Sequence, residues 1–186
     1  IIGHGITFEP DFNFFSHLFF SLIMPPWKAE TQIGMIMKLL LGIGNRFRGD
    51  DGVGPHVVEQ FNKKQIDGFV AEELKGDFTN IIDSLKDYQE LIVVDASMSG
   101  QATGSYQVID YRKDGLPTEW VQSSTHGLGI AEGLELAAAL NILPEKVSIY
   151  AVEAGNFDPG NQLSAKVLKA TNAVITEIEK QLQHIG

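Results

Sequence analysis

The chain has 186 residues, 24 acidic against 14 basic side chains, a formal net charge of -10 and no cysteine. That length suits one domain able to bury its own core, and the missing thiols exclude disulfides, thiolate zinc sites, iron–sulfur ligation and a cysteine nucleophile, leaving Asp, Glu and His for any metal. The acidic balance disfavours nucleic acid and anionic lipid, whose phosphates would be repelled at long range, and suits basic partner surfaces.

Residues 1–36 are rich in Phe and lack a helix or strand period. Their apolar run, residues 12–24, ends at Pro25-Pro26 and falls short of the roughly 20 residues that a membrane-spanning helix needs. Glu9 and Asp11 stand before it, where a secretory signal would carry basic residues. These features point to a cytoplasmic protein without membrane insertion. Met35 and Met37 are both candidate initiators, so the segment reads as a dispensable extension or as an apolar arm that covers a surface patch in an oligomer. The regular domain is expected over residues 37–186.

From Met37 onward, short apolar runs alternate with segments of helical period, the pattern of an α/β fold. The expectation is a single three-layer domain, with a twisted, mostly parallel sheet flanked by helices. Residues 38–43 read as a buried strand, and Gly54-Pro55 as a helix start with Pro at the first position. Val57, Val58 and Phe61 supply that helix's inward stripe. Residues 69–74 alternate like a strand, and Phe78, Ile81, Ile82 and Leu85 suggest a short helix. Residues 91–94 form the strongest strand signal, ending at Asp95-Ala96, followed by a weaker strand over 105–109. A helix over 128–140 and a strand over 147–152 follow. Ser164 can cap a last helix whose face carries Val167, Leu168, Val174, Ile175, Ile178 and Leu182.

Three places carry chemistry. The first is the Gly-rich turn Gly42-Ile43-Gly44-Asn45-Arg46-Phe47-Arg48-Gly49-Asp50-Asp51-Gly52-Val53-Gly54. Phe47 stands where a dinucleotide fingerprint needs its third Gly, and Asp50-Asp51 where a phosphate loop needs Lys and Ser or Thr, so no nucleotide is expected. Two carboxylates near a helix N-terminus would instead attract a cation or a basic group; the structural alternative is helix capping, for which Asp50 is the better candidate and Asp51 the better ligand. The second is Asp95, where an apolar strand ends at the sheet edge that binds ligands in open α/β folds, although such an Asp can also start a turn with Ser97. The third is His126, in Thr125-His126-Gly127 just before the Ala-rich helix, with a surface or capping role as its alternative. Asp51, Asp95 and His126 sit on three loops that this topology can bring to one edge, and their oxygen and nitrogen donors suit divalent Ni, Zn, Mn or Fe.

At these residues the sequence resembles the hydrogenase maturation proteases, endopeptidases that trim the C-terminus of nickel–iron hydrogenase large-subunit precursors. The resemblance rests on Gly42-Ile43-Gly44-Asn45, Gly49-Asp50-Asp51-Gly52-Val53-Gly54, Val94-Asp95-Ala96 and Thr125-His126 in order, joined by the segment from Glu153 to Val167, with Asn156-Phe157 and Gly160-Asn161-Gln162-Leu163-Ser164, before the last helix. It spans about residues 37–182. It implies that Asp51, Asp95 and His126 are metal-binding and catalytic. Gly44, Asn45, Asp50 and Thr125 would help to position the substrate. The implied metal is nickel, supplied by the precursor, so that metal loading is checked before cutting. A water then attacks the scissile carbonyl, with Asp51 or Asp95 accepting a proton. Around Leu74-Lys75-Gly76-Asp77-Phe78-Thr79 the chain departs from the family's more glycine-rich turn.

Two other readings use the same residues. A serine hydrolase would use Ser124 or Ser97 with His126 and Asp95, but Ser97-Met98-Ser99-Gly100 lacks the Gly that precedes the nucleophile in the usual elbow. A non-enzymatic nickel- or precursor-binding chaperone would keep the acidic pocket without turnover.

Overall fold

The computed structural model describes residues 37–116 and 130–183, which belong to the unit Ile36–Gly186. The strands are β1 (Lys38–Gly42), β2 (Phe69–Glu73), β3 (Glu90–Ser97), β4 (Tyr106–Asp110) and β5 (Lys146–Glu153). The helices are α1 (Val53–Asn62), α2 (Thr79–Ile82), α3 (Tyr111–Asp114), α4 (Ile130–Ala139) and α5 (Ala165–Gln183), with single 3-10 turns at Gly49–Gly52 and Leu85–Asp87.

The five strands form one sheet in the order β2-β1-β3-β5-β4. The β2–β1, β1–β3 and β3–β5 pairs are parallel, and β4 closes one edge antiparallel to β5. Strands covered on both faces need apolar residues at successive positions, which is why β1 and β3 read as continuous hydrophobic runs. Alternation then splits them between two cores. Leu39, Leu41, Leu91, Val93, Val147 and Ile149 pack with Phe78, Ile130 and Leu134 on one face. Leu40, Ile92, Val94, Tyr150 and Val152 pack with Val57, Phe61, Val167, Val174 and Ile178 on the other. Each such side chain contributes about 1.5–3 kcal/mol when fully buried. The three-layer α/β expectation is thereby met.

Several boundaries differ from the sequence reading. Helix α1 begins at Val53, which puts Pro55 at its third residue; the first four N–H groups of a helix have no internal acceptor, so Pro is accommodated anywhere in that turn. Leu168 is 38% exposed, because it lies one step around α5 from the buried row Val167, Thr171, Val174 and Ile178. The segment expected to be one short helix after Phe78 is α2 followed by the turn Leu85–Asp87. Strand β3 continues past Asp95 to Ser97, since Ala96 and Ser97 remain paired with Val152 and Glu153.

Candidate active site

The chain leaving β1 turns through α1 to β2, on one side of β1, whereas the chain leaving β3 travels the other way, to β4 at the far edge. Adjacent parallel strands whose connections diverge leave a crevice outside their carboxyl ends, the usual place for a ligand in open α/β sheets. The carboxyl ends of β1 and β3 form this switch point; Asp51 is carried by the turn between β1 and α1, and Asp95 stands among the last three residues of β3.

Asp51 is set there by the turn that joins β1 to α1. A Cβ on Gly54 would lie 2.2 Å from the Ile43 carbonyl oxygen and 2.7 Å from that of Val94, so only glycine lets the start of α1 press against both strand ends. Ile43 N–H also donates to Val94 O at 2.9 Å. The 3-10 turn carrying Asp51 is thus held at the edge that carries Asp95. Asn45 N–H donates to Asp51 Oδ2 at 3.1 Å, while Asn45 Oδ1 accepts the Phe47 N–H at 2.9 Å. Gly44 has φ +119, and a Cβ there would stand 1.9 Å from Asp51 O. The expected positioning residues Gly44 and Asn45 therefore shape the backbone around Asp51.

Asp95 Oδ1 accepts the Ala96 N–H at 2.8 Å. In strand alternation it shares a face with Val93 and Ser97, the face covered by α4. Asp50, Asp51 and Asp95 are only 0%, 1% and 3% exposed. His126 and Thr125, like Ser124, lie outside the described residues. Among the described residues, no three His, Cys, Asp or Glu side chains are grouped to hold a metal ion.

Asp50 does not cap α1. Neither the 3-10 turn nor α1 has a side-chain cap. Its Oδ2 accepts Gly155 N–H at 3.0 Å, Asn156 N–H at 2.9 Å and the Ser164 hydroxyl at 3.1 Å, and its Oδ1 accepts Ser164 N–H at 2.6 Å. Backbone bonds join the same segments: Asp50 N–H to Asn156 O at 2.8 Å, Gly49 N–H to Gly160 O and Gly160 N–H to Phe47 O, both at 2.9 Å. The acidic loop is therefore fastened to the stretch that precedes α5, so any influence of Asp50 on substrate passes through these loops.

Glu153, at the carboxyl end of β5, is a residue to which the sequence assigns no site role. It is 5% exposed. Its Oε2 accepts the Ser97 hydroxyl at 2.9 Å, the Ser99 N–H at 3.0 Å and the Ser99 hydroxyl at 2.8 Å, and its Oε1 accepts the Gly100 N–H at 2.8 Å. Burial alone would raise this carboxyl, but the Ser99, Ser97 and Gly100 donors hold it below its ordinary value. The Ser97 hydroxyl is committed to Glu153, which counts against Ser97 as a nucleophile. An acid ending an apolar strand, as Asp95 follows residues 91–94, was the available signal.

Beside Asp51, a groove of about 440 Å³ runs between the loop after β1 and the end of β2, lined by residues that include Asn45, Arg46, Glu73 and Lys75. Arg46 and Glu73 form an ion pair across it. Phe47, 67% exposed, separates it from a second pocket of about 240 Å³ that contains His56, Glu59 and Leu163. Burial lowers the His56 pKa, and the opposing effect of Glu59 is smaller.

A family model described as HycI, hydrogenase maturation protease, matches residues 76–181. HupD of Rhizobium leguminosarum bv. viciae, a hydrogenase expression/formation protein, is 28% identical over 160 residues, covering 80% of this chain and 75% of its own length. The hydrogenase maturating endopeptidase HybD from E. coli superposes with a TM-score of 0.70 at 22% identity, covering 81% of this chain and 94% of that one, which speaks for the shared fold. A hydrogenase 2 maturation peptidase from a Thaumarchaeota archaeon is 27% identical with a TM-score of 0.57, covering 78% of this chain and 97% of that one. Since the family model spans more than half of the sequence, the chain belongs to the hydrogenase maturation protease family.

Proposed function

We propose that the protein is an endopeptidase that removes a C-terminal peptide from the precursor of a nickel–iron hydrogenase large subunit. The nickel already in the precursor is the recognition element, and no nucleotide takes part. The observation that carries this reading is the placement of two buried acids, Asp51 on the turn after β1 and Asp95 near the end of the neighbouring parallel strand β3, at the switch point of a hydrogenase maturation protease fold.

In this reading Asp51, Asp95 and His126 engage the precursor's nickel and so bring the adjoining peptide bond to the sheet edge. A water oxygen adds to the scissile carbonyl carbon, Asp51 or Asp95 takes its proton, and the amine leaves protonated as the C–N bond breaks. Family membership and the low exposure of both acids support the assignment, because acids shielded from bulk water interact more strongly with a cation than exposed ones do. Helix α4, which follows the His126 segment, packs on the face of β3 that carries Asp95.

The test is a double replacement, Asp51→Asn with Asp95→Asn, assayed on nickel-loaded precursor. Asn keeps the shape and removes the basic oxygen, so the proposal expects cleavage to fall by at least about 100-fold. Cutting at the wild-type rate would overturn it.

A further inference from the structure

Asp95 lies two residues before the end of β3, and the chain beyond it, Met98 to Gly100, has no regular secondary structure. Such an end can fray, and fraying would turn the acid away from the crevice. Ala154 N–H still donates to Ser97 O at 3.0 Å, extending the β3–β5 pairing by one bond. Beyond that bond, the hydrogen bonds that hold the segment among the described residues end on the Glu153 carboxylate: two hydroxyls and two successive backbone N–H groups.

We propose that Glu153 is a positioning residue for the hydrolytic reaction, whose carboxylate fixes the Ser97–Gly100 segment and through it the direction of Asp95. This rests on the endopeptidase reading above and extends it. The chemistry suits an acid, because Ser99 N–H donates to one carboxylate oxygen and Gly100 N–H to the other. Both oxygens must accept, and a side-chain amide offers a single acceptor. The register places Ser97 opposite Glu153 and Asp95 opposite Ala151, so Asp95, Ser97 and Glu153 lie on one face of the sheet. The backbone of residues 153–156 continues this link to the other acid: Glu153 holds the loop after Asp95, and Gly155 and Asn156 hold Asp50 beside Asp51.

The experiment is steady-state cleavage of nickel-loaded precursor by wild type, Glu153→Ala, Glu153→Gln and Ser99→Ala. Asp95 both engages the precursor's nickel and stands as a proton acceptor, so kcat and KM are read separately. Glu153→Ala is expected to lower kcat by about tenfold or more, since small misplacements of reacting groups carry losses of that order, with any rise in KM smaller than the fall in kcat. Glu153→Gln keeps one acceptor but sets its NH2 against the other N–H donor, and is expected to recover kcat only in part, to a value between Glu153→Ala and wild type. Ser99→Ala, on the exposed loop, removes one donor without opening the core and is expected to lower kcat about two- to threefold. Wild-type kcat in Glu153→Ala overturns the proposal; if that variant does not fold, wild-type kcat in Ser99→Ala does so. An uncut precursor with the wild-type protein would instead overturn the endopeptidase reading, and this inference with it.

Discussion

The Asp50 carboxylate accepts both the backbone N–H and the hydroxyl of Ser164, a residue 114 positions further along the chain, at 2.6 and 3.1 Å. Ser164 immediately precedes α5, so a carboxylate from the first loop receives a donor at the start of the last helix, where the helix dipole favours negative charge. The carboxylate also serves Gly155 and Asn156. Asp50→Ala would leave three backbone N–H groups without their acceptor, at a cost of about 3 kcal/mol or more. For a chain of this size the expected drop in thermal midpoint is about 6–12 °C. A melt within a degree or two of wild type would contradict the structural role.

The turn around Asp51 depends on Gly44. With φ +119 and a Cβ position 1.9 Å from Asp51 O, Gly44→Ala faces both backbone strain and a collision with main chain that cannot swing aside. The expected loss is about 2 kcal/mol or more. Cleavage is expected to fall even at temperatures where the variant remains folded, because relief of the collision must displace the Asp51 backbone. Circular dichroism melts alongside single-turnover cleavage separate the two effects; unchanged activity in a folded Gly44→Ala would show that the turn tolerates displacement.

At the opposite end of the sheet, the first residues of β1, β3 and β5 stand in register as Lys38, Glu90 and Lys146. Lys38 Nζ is 3.3 Å and Lys146 Nζ 2.8 Å from the Glu90 carboxylate, which also accepts from Gln181. Burial would raise the Glu90 carboxyl, but Lys146, then Gln181 and Lys38, hold it below its ordinary value. A carboxyl whose folded pKa is depressed contributes stability that is complete above its unfolded pKa and is lost as pH falls through the folded one. Stability is therefore expected to decline below about pH 4.5, and Glu90→Gln to flatten that decline while lowering the midpoint at pH 7 by leaving Lys38 buried without its partner. Denaturant titrations from about pH 3 to 7 give the slope; equal slopes for both proteins would contradict this assignment.

The layers of this fold are readable from sequence because residues 39–41 and 91–94 are apolar at every position, a pattern that strands covered on both faces require. The antiparallel direction of β4 was not readable: residues 106–110 alternate only weakly, and strand direction is decided by where the connection runs. Leu168 lies at the edge of the buried face of α5, where Ile175 one heptad further on is still covered and Leu168 near the helix start is not. For the site, Asp51 and Asp95 could be read from the turn and the strand end that carry them. The partners of Asp50 could not, since they lie more than 100 residues away and are mostly backbone N–H groups, which no side-chain pattern encodes. Glu153 shares the strand-end signature of Asp95 and opens the family-like segment of residues 153–167, but its role depends on hydroxyl and N–H donors more than 50 residues away, which no local pattern encodes.

Whether hydrolysis is gated by the substrate's metal is decided by intact-mass measurement of a hydrogenase large-subunit precursor. Nickel-loaded and nickel-free precursor are each incubated with the protein, with Asp51→Asn as the control. Loss of a C-terminal peptide is expected from the loaded precursor alone and is abolished in the variant. Equal cleavage of both precursors would contradict nickel recognition, and a stable complex with no cleavage of either would contradict the protease and point to a maturation chaperone.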